Sequence, residues 1–238
     1  MGNKHEIMVN SIGMKLVLVK AGKFIMGSSI EEYGRDSDEG PQHEVTLTKD
    51  FFIGVCQVTQ EQYQKVMGEN FSKFKCPENP VEMVNKYEAE LFCERLSQAE
   101  GLNYKLPTEA QWEYACRAGS DSLYCSGDDL KKVREYAWFA DNSGNKPHPV
   151  GLRKANAWGI NDMHGNVWEW CQDKWDQNGY CSEDSIDPVG TLGYTDVIRG
   201  GCFHCKLRAL RSAKRFGYYA GGRFYSIGLR IVYECVYD

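Results

Sequence analysis

Two cysteines near the C-terminal end of the chain have the spacing of a redox pair or a metal-binding pair. Cys202 and Cys205 are separated by two residues, Phe203 and His204. Thiolates at this spacing can bind a soft metal ion or cycle between a dithiol and a disulfide. One pair alone does not specify either function, because structural zinc sites usually add a second Cys or His pair. The alternative interpretation is two loop cysteines that share no chemistry.

The other cysteines give no second pair of this kind. The chain has ten cysteines in 238 residues, and the remaining eight are scattered. Cys93 and Cys116 lie in helical patterns, which predicts buried free thiols. A chain of this length does not need a disulfide scaffold, so the sequence leaves its redox compartment open.

The same region is cationic and aromatic, although the chain has a net charge of −5. No Asp or Glu occurs between residues 199 and 230, and Phe, Tyr and Gly recur through 215–226, RFGYYAGGRFYS. The basic residues of this segment are Arg199, Lys206, Arg208, Arg211, Lys214, Arg215, Arg223 and Arg230. Tyr, Phe and Arg supply large contact areas at low entropic cost, while Gly and Ser let loops adapt. The composition therefore indicates a ligand-binding surface.

Basic residues interleaved with aromatic residues also occur where proteins bind single-stranded nucleic acid. We predict no nucleic-acid partner, because the acidic remainder of the chain would repel phosphates and the sequence has no nucleic-acid motif. We also find no apolar run that is long enough to cross a bilayer.

Strands and then helices are predicted ahead of this segment. The stretches MKLVLVKAGKFIMG and HEVTLTKDFFIG alternate apolar and polar residues, which predicts strands. Capping-box pairs and terminal glycines predict three helices, within 58–68, 85–101 and 106–119. Their caps are Thr59 with Gln62, Asn85 with Glu88, and Thr108 with Gln111.

The helical pattern stops at about residue 120, and Gly, Asn, Asp and aromatic residues dominate from there. The clearest late strand is GLRIVYE at 228–234, with Leu229, Ile231 and Tyr233 predicted on one face. Strands, helices, and then loops with short strands predict an α+β fold.

Three stretches together resemble the formylglycine-generating-enzyme family, also called the sulfatase-modifying-factor domain. They are LPTEAQWEYACRAG (106–119), NAWGINDMHGNVWEWCQDKW (156–175) and VIRGG…RSAKR…GLR (197–230). The resemblance covers nearly the whole chain. It implies a single domain over 1–238 with this family's variant of the C-type-lectin-like fold and a loop-rich C-terminal half.

Enzymes of this family bind copper through two cysteines and oxidise a substrate cysteine to formylglycine. The resemblance places the first of these cysteines at Cys205 and the second at Leu210. Leucine has no ligand atom, so we expect no copper and predict that the chain is not an enzyme. The alternative is a copper-dependent oxidase that acts on a protein cysteine and uses Cys202 as the second ligand.

A second branch of the family contains binding proteins whose C-terminal segment is rewritten by diversity-generating retroelements. Mutation at adenines of AAC or AAT codons gives residues such as Phe, Tyr, His, Cys, Arg, Gly and Ser, but not Trp, Glu, Gln, Met or Lys. Residues 202–226 match that set except at Lys206 and Lys214. The predicted variable, ligand-contacting positions are Cys202, Phe203, His204, Cys205, Leu207, Arg208, Phe216, Gly217, Tyr218, Tyr219, Gly222, Phe224, Tyr225 and Ser226.

The resemblance favours a non-enzymatic binder of an unidentified ligand, either a protein or another surface macromolecule. The arginines of RSAKR and GLR are expected to form hydrogen bonds within the scaffold instead. A useful binder should face the outside, so we expect a cell-surface protein anchored through a signal that the given sequence does not contain, or a cytoplasmic protein if no such signal exists.

The resemblance also implies a structural calcium ion at the GNVWEW motif. Its ligands would be the side chains of Asp162 and Glu169 and the carbonyls of Gly165 and Val167. Two carboxylates and two carbonyls suit a hard cation. The alternative is that Glu169 binds only neighbouring protein groups. His164, within the same motif, is predicted to be a packed or hydrogen-bonded histidine.

Overall fold

The computed structural model describes residues 5–180 and 185–234. Cys181 and Cys235 lie outside the described residues. The helices are α1 (Gln60–Met67), α2 (Lys86–Glu100), α3 (Glu109–Arg117) and the short α4 (Val133–Tyr136). The strands are β1 (Ile7–Val9), β2 (Lys15–Val19), β3 (Gly22–Met26), β4 (His43–Leu47), β5 (Phe51–Gly54), β6 (Tyr104–Lys105), β7 (Trp168–Trp175), β8 (Thr195–Arg199), β9 (Arg215–Tyr218), β10 (Ile227–Gly228) and β11 (Val232–Glu234).

The strands form two sheets and a separate hairpin. The first sheet has the order β1–β2–β5–β11–β6, with every neighbouring pair antiparallel. The second has the order β10–β7–β8–β9, in which only β10 runs parallel to its neighbour. The hairpin is β3 with β4. Helices and largely antiparallel strands confirm the α+β prediction.

The capping boxes lie where the sequence predicted them. The side chains of Thr59, Asn85 and Thr108 each accept a hydrogen bond from the backbone amide three residues later. Gly68 and Gly101 end the first two helices at φ values of 85° and 68°. Glycine adopts this left-handed conformation without steric cost, which explains why both helices stop there.

Strand β7 sends alternate side chains into two different apolar clusters. Trp168 and Trp170 belong to the cluster that includes Phe92 of α2. Cys171 belongs to the cluster that includes Trp112 of α3. Because successive residues of a strand point to opposite faces, one strand can join both halves of the core.

The predicted single strand at 228–234 is wrong. The segment forms β10 and β11, which belong to different sheets, with Leu229–Ile231 between them. Leu229 and Ile231 are buried as expected, but Arg230 between them is also fully buried. The apolar–polar alternation therefore does not separate an inner from an outer face, because the arginine points inward to bind carboxylate and carbonyl oxygens.

Cys93 and Cys116 are buried free thiols, as predicted. In the part of the chain that the structure describes, no helix has the length and apolarity needed to cross a bilayer.

Candidate functional site

Four arginines of the cationic segment are buried and paired with carboxylates from elsewhere in the chain. We call Arg199, Arg211, Arg215 and Arg230 the arginine frame, and each is at most 3% exposed. Their partners are Glu113, Glu39, Glu109 and Glu169, in that order. The frame confirms that the arginines of RSAKR and GLR make scaffold hydrogen bonds. Half of the segment's positive charge is thus neutralised inside the protein.

The Arg230–Glu169 pair lies at the centre of the predicted calcium site. The guanidinium of Arg230 donates to both carboxylate oxygens of Glu169, each at 2.9 Å. Trp112 Nε1 donates to the same carboxylate at 2.7 Å. A further donor is Gln57, whose Nε2 lies 2.9 Å from Glu169 Oε1. Both oxygens of Glu169 are therefore engaged by protein donors.

The residues as placed do not fit the calcium prediction. Besides Glu169, Gln57 Nε2 lies 2.8 Å from the carbonyl oxygen of Val167 and 3.3 Å from that of Gly165. These are oxygens that the predicted ion would need, and the buried amide nitrogen faces them as a donor. The fourth predicted ligand, the Asp162 side chain, accepts a hydrogen bond from the Gly151 amide at 2.7 Å. Calcium needs oxygen ligands, so the site would fit an ion only with the Gln57 amide turned to present Oε1, which is buried and has no hydrogen-bond partner within the described residues.

Asp162, the other predicted side-chain ligand, is also buried. Its Oδ1 is buried and has no hydrogen-bond partner. Burial raises the pKa of Asp162 to about 6, because the charged form loses its hydration. His164 is a buried, hydrogen-bonded histidine, as predicted. Its Nδ1 lies 2.7 Å from the Leu210 carbonyl oxygen, and its Nε2 accepts from the Cys125 amide.

The aromatic residues of the segment form a cluster that is partly open to solvent. We call His204, Phe216, Tyr218, Tyr219, Phe224 and Tyr225 the aromatic face; each is at least partly exposed. The ring centroids of Phe224 and Tyr225 are 4.4 Å apart, and Tyr218 and Phe224 are 6.2 Å apart. Phe216 is 49% and Tyr219 69% exposed, so these two rings are the most available for contact with another molecule.

The aromatic face borders a cavity of about 140 Å³, which is smaller than typical small-molecule sites of about 300–1,000 Å³. Five predicted contact residues line it, namely His204, Phe216, Tyr218, Phe224 and Ser226. Trp168 of β7 and two isoleucines complete the lining. The walls are therefore mainly apolar, with an imidazole and a hydroxyl as the polar groups from the segment.

The structure buries three of the predicted ligand contacts. Cys202 and Phe203 are fully buried, so their prediction as surface contacts is wrong. Ser226 is only 1% exposed, although it lines the cavity of the aromatic face. Phe203 packs edge-on against Phe74, with the ring centroids 5.5 Å apart. Its backbone is fixed as well, because Ser143 Oγ donates to the Phe203 carbonyl oxygen at 2.7 Å. The sequence could not separate core from surface rings, because the same residue types serve both.

Gly217 does not fit a freely variable position either. A Cβ at this residue would lie 2.5 Å from Thr195 Oγ1 and 2.5 Å from the Trp175 ring. Leu207 packs against a different apolar cluster, which contains Tyr124 and Leu210. Of the remaining predicted positions, Arg208 is exposed, and Cys205 and Gly222 are partly buried.

The two cysteines of the segment are close together in the structure. Cys202 Sγ and Cys205 Sγ are 2.9 Å apart. Burial raises the pKa of Cys202, and the hydrogen bond with Cys202 lowers the pKa of Cys205. Leu210, which stands where the enzymes have a second cysteine, is fully buried and has no ligand atom. Cys205 packs against the cluster that contains Leu210.

Residues outside the segment complete the site, and the sequence analysis missed them. Phe74 lies 6.2 Å from Tyr225 between ring centroids, and the Lys73 ammonium lies 4.6 Å above the Tyr225 ring. Gln57, which faces the predicted calcium ligands, was also missed. Phe74 between two lysines, in FSKFK at 71–75, was the one available signal for this support.

Comparisons with known proteins point to one family. The sequence profile of the sulfatase-modifying factor enzyme 1-like domain matches residues 9–235. Chaperone protein LppX of Paenibacillus barcinonensis is 35% identical over 206 residues, which are 66% of this chain and 70% of that protein. The formylglycine-generating enzyme of Streptomyces coelicolor is 33% identical over 146 residues, which are 54% of this chain and 43% of the enzyme.

Two solved structures are similar over nearly their whole length. Treponema denticola variable protein 1 has a TM-score of 0.88 at 27% identity, with 97% of this chain and 99% of that chain covered. PvdO from Pseudomonas aeruginosa has a TM-score of 0.89 at 29% identity, with 98% and 100% covered. These similarities confirm the predicted C-type-lectin-like fold in its formylglycine-generating-enzyme variant.

Proposed function

The chain belongs to the sulfatase-modifying factor enzyme 1-like domain family, and we propose that within it the chain is a non-enzymatic binder whose aromatic face contacts the ligand. We also propose that a retroelement diversifies this face. The observation that carries the proposal is the division of one segment between a buried frame and an exposed face. Residues 199–230 supply both the paired arginines and the rings that open to solvent. A constant frame lets neighbouring positions vary without loss of the fold.

The chemistry of the face supports a macromolecular ligand. Exposed Phe216 lines a largely apolar cavity that suits one apolar or aromatic side chain, and Tyr219 adds a second exposed ring to the face. Tyr and Phe lose little conformational entropy when they bind, which is why antibody loops use them. Such a ligand would be a protein or another surface macromolecule, which is compatible with a binder at the cell surface. The similarity to Treponema denticola variable protein 1 supports this proposal.

An oxidase is the second candidate, favoured by the short distance between Cys202 and Cys205. Similarity to the Streptomyces coelicolor enzyme supports it, although the matched region spans 43% of that enzyme. It requires both sulfurs to bind copper, since Leu210 cannot. An assay for oxygen-dependent conversion of a peptide cysteine to formylglycine tests it directly. Equal products from wild type and Cys205→Ser would exclude this candidate.

Sequencing the region that encodes residues 199–230 across a population of source cells tests the binder proposal. We expect substitutions at exposed face positions such as Phe216, Tyr219 and Tyr225. The arginine frame serves as an internal control and should be constant. One fixed sequence in all cells would contradict diversification, and variation spread equally over frame and face would contradict their separate roles.

A further inference from the structure

Cys202 and Cys205 form a cluster with His204 of the aromatic face, and we propose that this cluster is a zinc site. Each residue offers one ligand atom, and these atoms all lie within 4.8 Å of one another. Two thiolates and an imidazole are ligands that Zn²⁺ prefers. The proposal rests on this cluster alone, and it requires His204, unlike Phe216 and Tyr219, to be a constant position of the aromatic face.

The backbone already brings the two sulfurs to one side of a turn. The Cys205 amide donates to the Cys202 carbonyl oxygen at 2.9 Å, which closes the turn between them. Tetrahedral zinc with Zn–S bonds of about 2.3 Å separates its sulfurs by roughly 3.8 Å. The sulfurs are now 2.9 Å apart, so binding requires an opening of about 1 Å. Cys205 is only partly buried and can make that movement, whereas Cys202 is fixed in the core.

His204 is held in place by a neighbour outside the cluster. Its Nε2 lies 3.0 Å from Ser226 Oγ, and Ser226 is buried. Zinc-bound histidines commonly have such a partner on the second ring nitrogen, because it fixes the orientation of the ring. The buried position of Ser226 is therefore suited to this supporting role.

Three protein ligands leave one coordination position of zinc for another donor. His204 and Ser226 also line the cavity of the aromatic face, so the cluster adjoins that cavity. Water or a donor atom of a bound molecule would fill the fourth position, as in zinc sites with three protein ligands. The imidazole distinguishes this site from a two-thiolate copper site, since Cu⁺ is satisfied by the sulfurs alone.

Metal titration of the reduced, chelator-treated protein tests the proposal. We expect one Zn²⁺ per chain in competition with a chromophoric chelator, and a thiolate-to-metal absorption band when Co²⁺ replaces zinc. Cys205→Ser and Cys202→Ser should each weaken binding at least 100-fold. His204→Asn should weaken it by roughly 10- to 100-fold. Cys76→Ser is the matched control, because Cys76 is another partly buried free thiol and lies outside the cluster.

Wild-type binding that Cys76→Ser retains and the three cluster variants lose would support the site. Absence of stoichiometric Zn²⁺ binding by reduced wild type would overturn it. So would Cu⁺ binding that is insensitive to His204→Asn in a protein that does not bind Zn²⁺. Near-ultraviolet circular dichroism shows whether each variant is folded. If Cys202→Ser fails to fold, His204→Asn and Cys205→Ser, which change the two partly exposed ligands, still test whether the cluster binds Zn²⁺.

Discussion

The arginine frame and the aromatic face are interleaved in one segment but have opposite environments. The frame side chains are buried and bind glutamates from the earlier part of the chain. The face side chains contact one another and rings of the core such as Trp168 and Trp170, and they remain partly exposed. The difference shows that a cationic segment need not create a cationic surface. Here much of the basic composition serves ion pairs that hold the segment to glutamates in the rest of the chain.

Two buried glutamates outside the segment show the same contrast. Glu113 pairs with the arginine frame, and Glu82 lies near the aromatic face. Burial alone would raise the pKa of Glu113, but the charges of Arg117 and Arg199 hold it below its ordinary value. Glu82 lies in the loop that carries Phe74 beside the aromatic face, and its Oε1 accepts a hydrogen bond from the Phe74 amide. Burial raises the pKa of Glu82 to about 7. The anion of Glu113, which pairs with the frame, is thus stabilised. The anion of Glu82, near the aromatic face, is destabilised by burial.

The largest predicted effect comes from removing one frame arginine. Arg230→Ala should lower the free energy of unfolding by about 3–5 kcal/mol, because it leaves the buried Glu169 without its cation. Arg223→Ala is the matched control. Arg223 also pairs with a glutamate, Glu88, but its side chain is 42% exposed, so we expect a loss of about 0–1 kcal/mol. Urea unfolding of both variants measures the difference. Equal losses would show that the frame does not differ energetically from surface pairs.

A somewhat smaller effect is expected at Gln57, which joins the frame to the predicted calcium ligands. Gln57→Glu replaces the donor that faces Val167 and Glu169 with a negative charge. When a chelator removes calcium, this substitution should lower the free energy of unfolding by about 2–4 kcal/mol. Added Ca²⁺ should restore much of that loss, because carboxylates and carbonyls then surround a cation.

The wild type should show the same melting temperature in calcium and in chelator. Gln57→Met is the control, because it removes the donor without adding a ligand and should be destabilised equally in both buffers. A wild-type melting temperature that rises with calcium would restore the predicted ion and contradict our interpretation of Gln57.

The sequence predicted the parts of the fold that depend on local chemistry. Thr59, Asn85 and Thr108 identify helix starts because each cap is satisfied within four residues. The roles of Phe203 and Gln57 depend on partners that are distant in the sequence, so no local pattern specifies them. Phe203 contacts Phe74 across the fold, and Gln57 contacts Glu169. Residue type alone therefore could not separate buried from exposed rings, or place Gln57 among the predicted calcium ligands.

The pH dependence of stability tests the support of the aromatic face. The folded-state pKa of Glu82 is raised. The contribution of this carboxyl group to the free energy of unfolding is therefore full below its unfolded-state pKa and is lost as the pH rises toward about 7. Gln at this position cannot ionise, so Glu82→Gln should remove this loss. The advantage of Glu82→Gln over wild type should grow by up to about 3 kcal/mol between about pH 5 and about pH 8. Urea unfolding of both proteins across this range measures it, and parallel pH profiles would contradict the assignment.

The smallest predicted effect is at the exposed edge of the face. Tyr219→Ala should change the free energy of unfolding by no more than about 0.5 kcal/mol, because the ring is 69% exposed. Phe203→Ala, in the same segment but fully buried, should cost about 3–5 kcal/mol by leaving a cavity beside Phe74. Thermal or urea unfolding compares the two. A loss above about 1 kcal/mol for Tyr219→Ala would mean that this ring stabilises the fold. A position that stabilises the fold cannot vary freely, so the binder proposal requires Tyr219 to be nearly neutral.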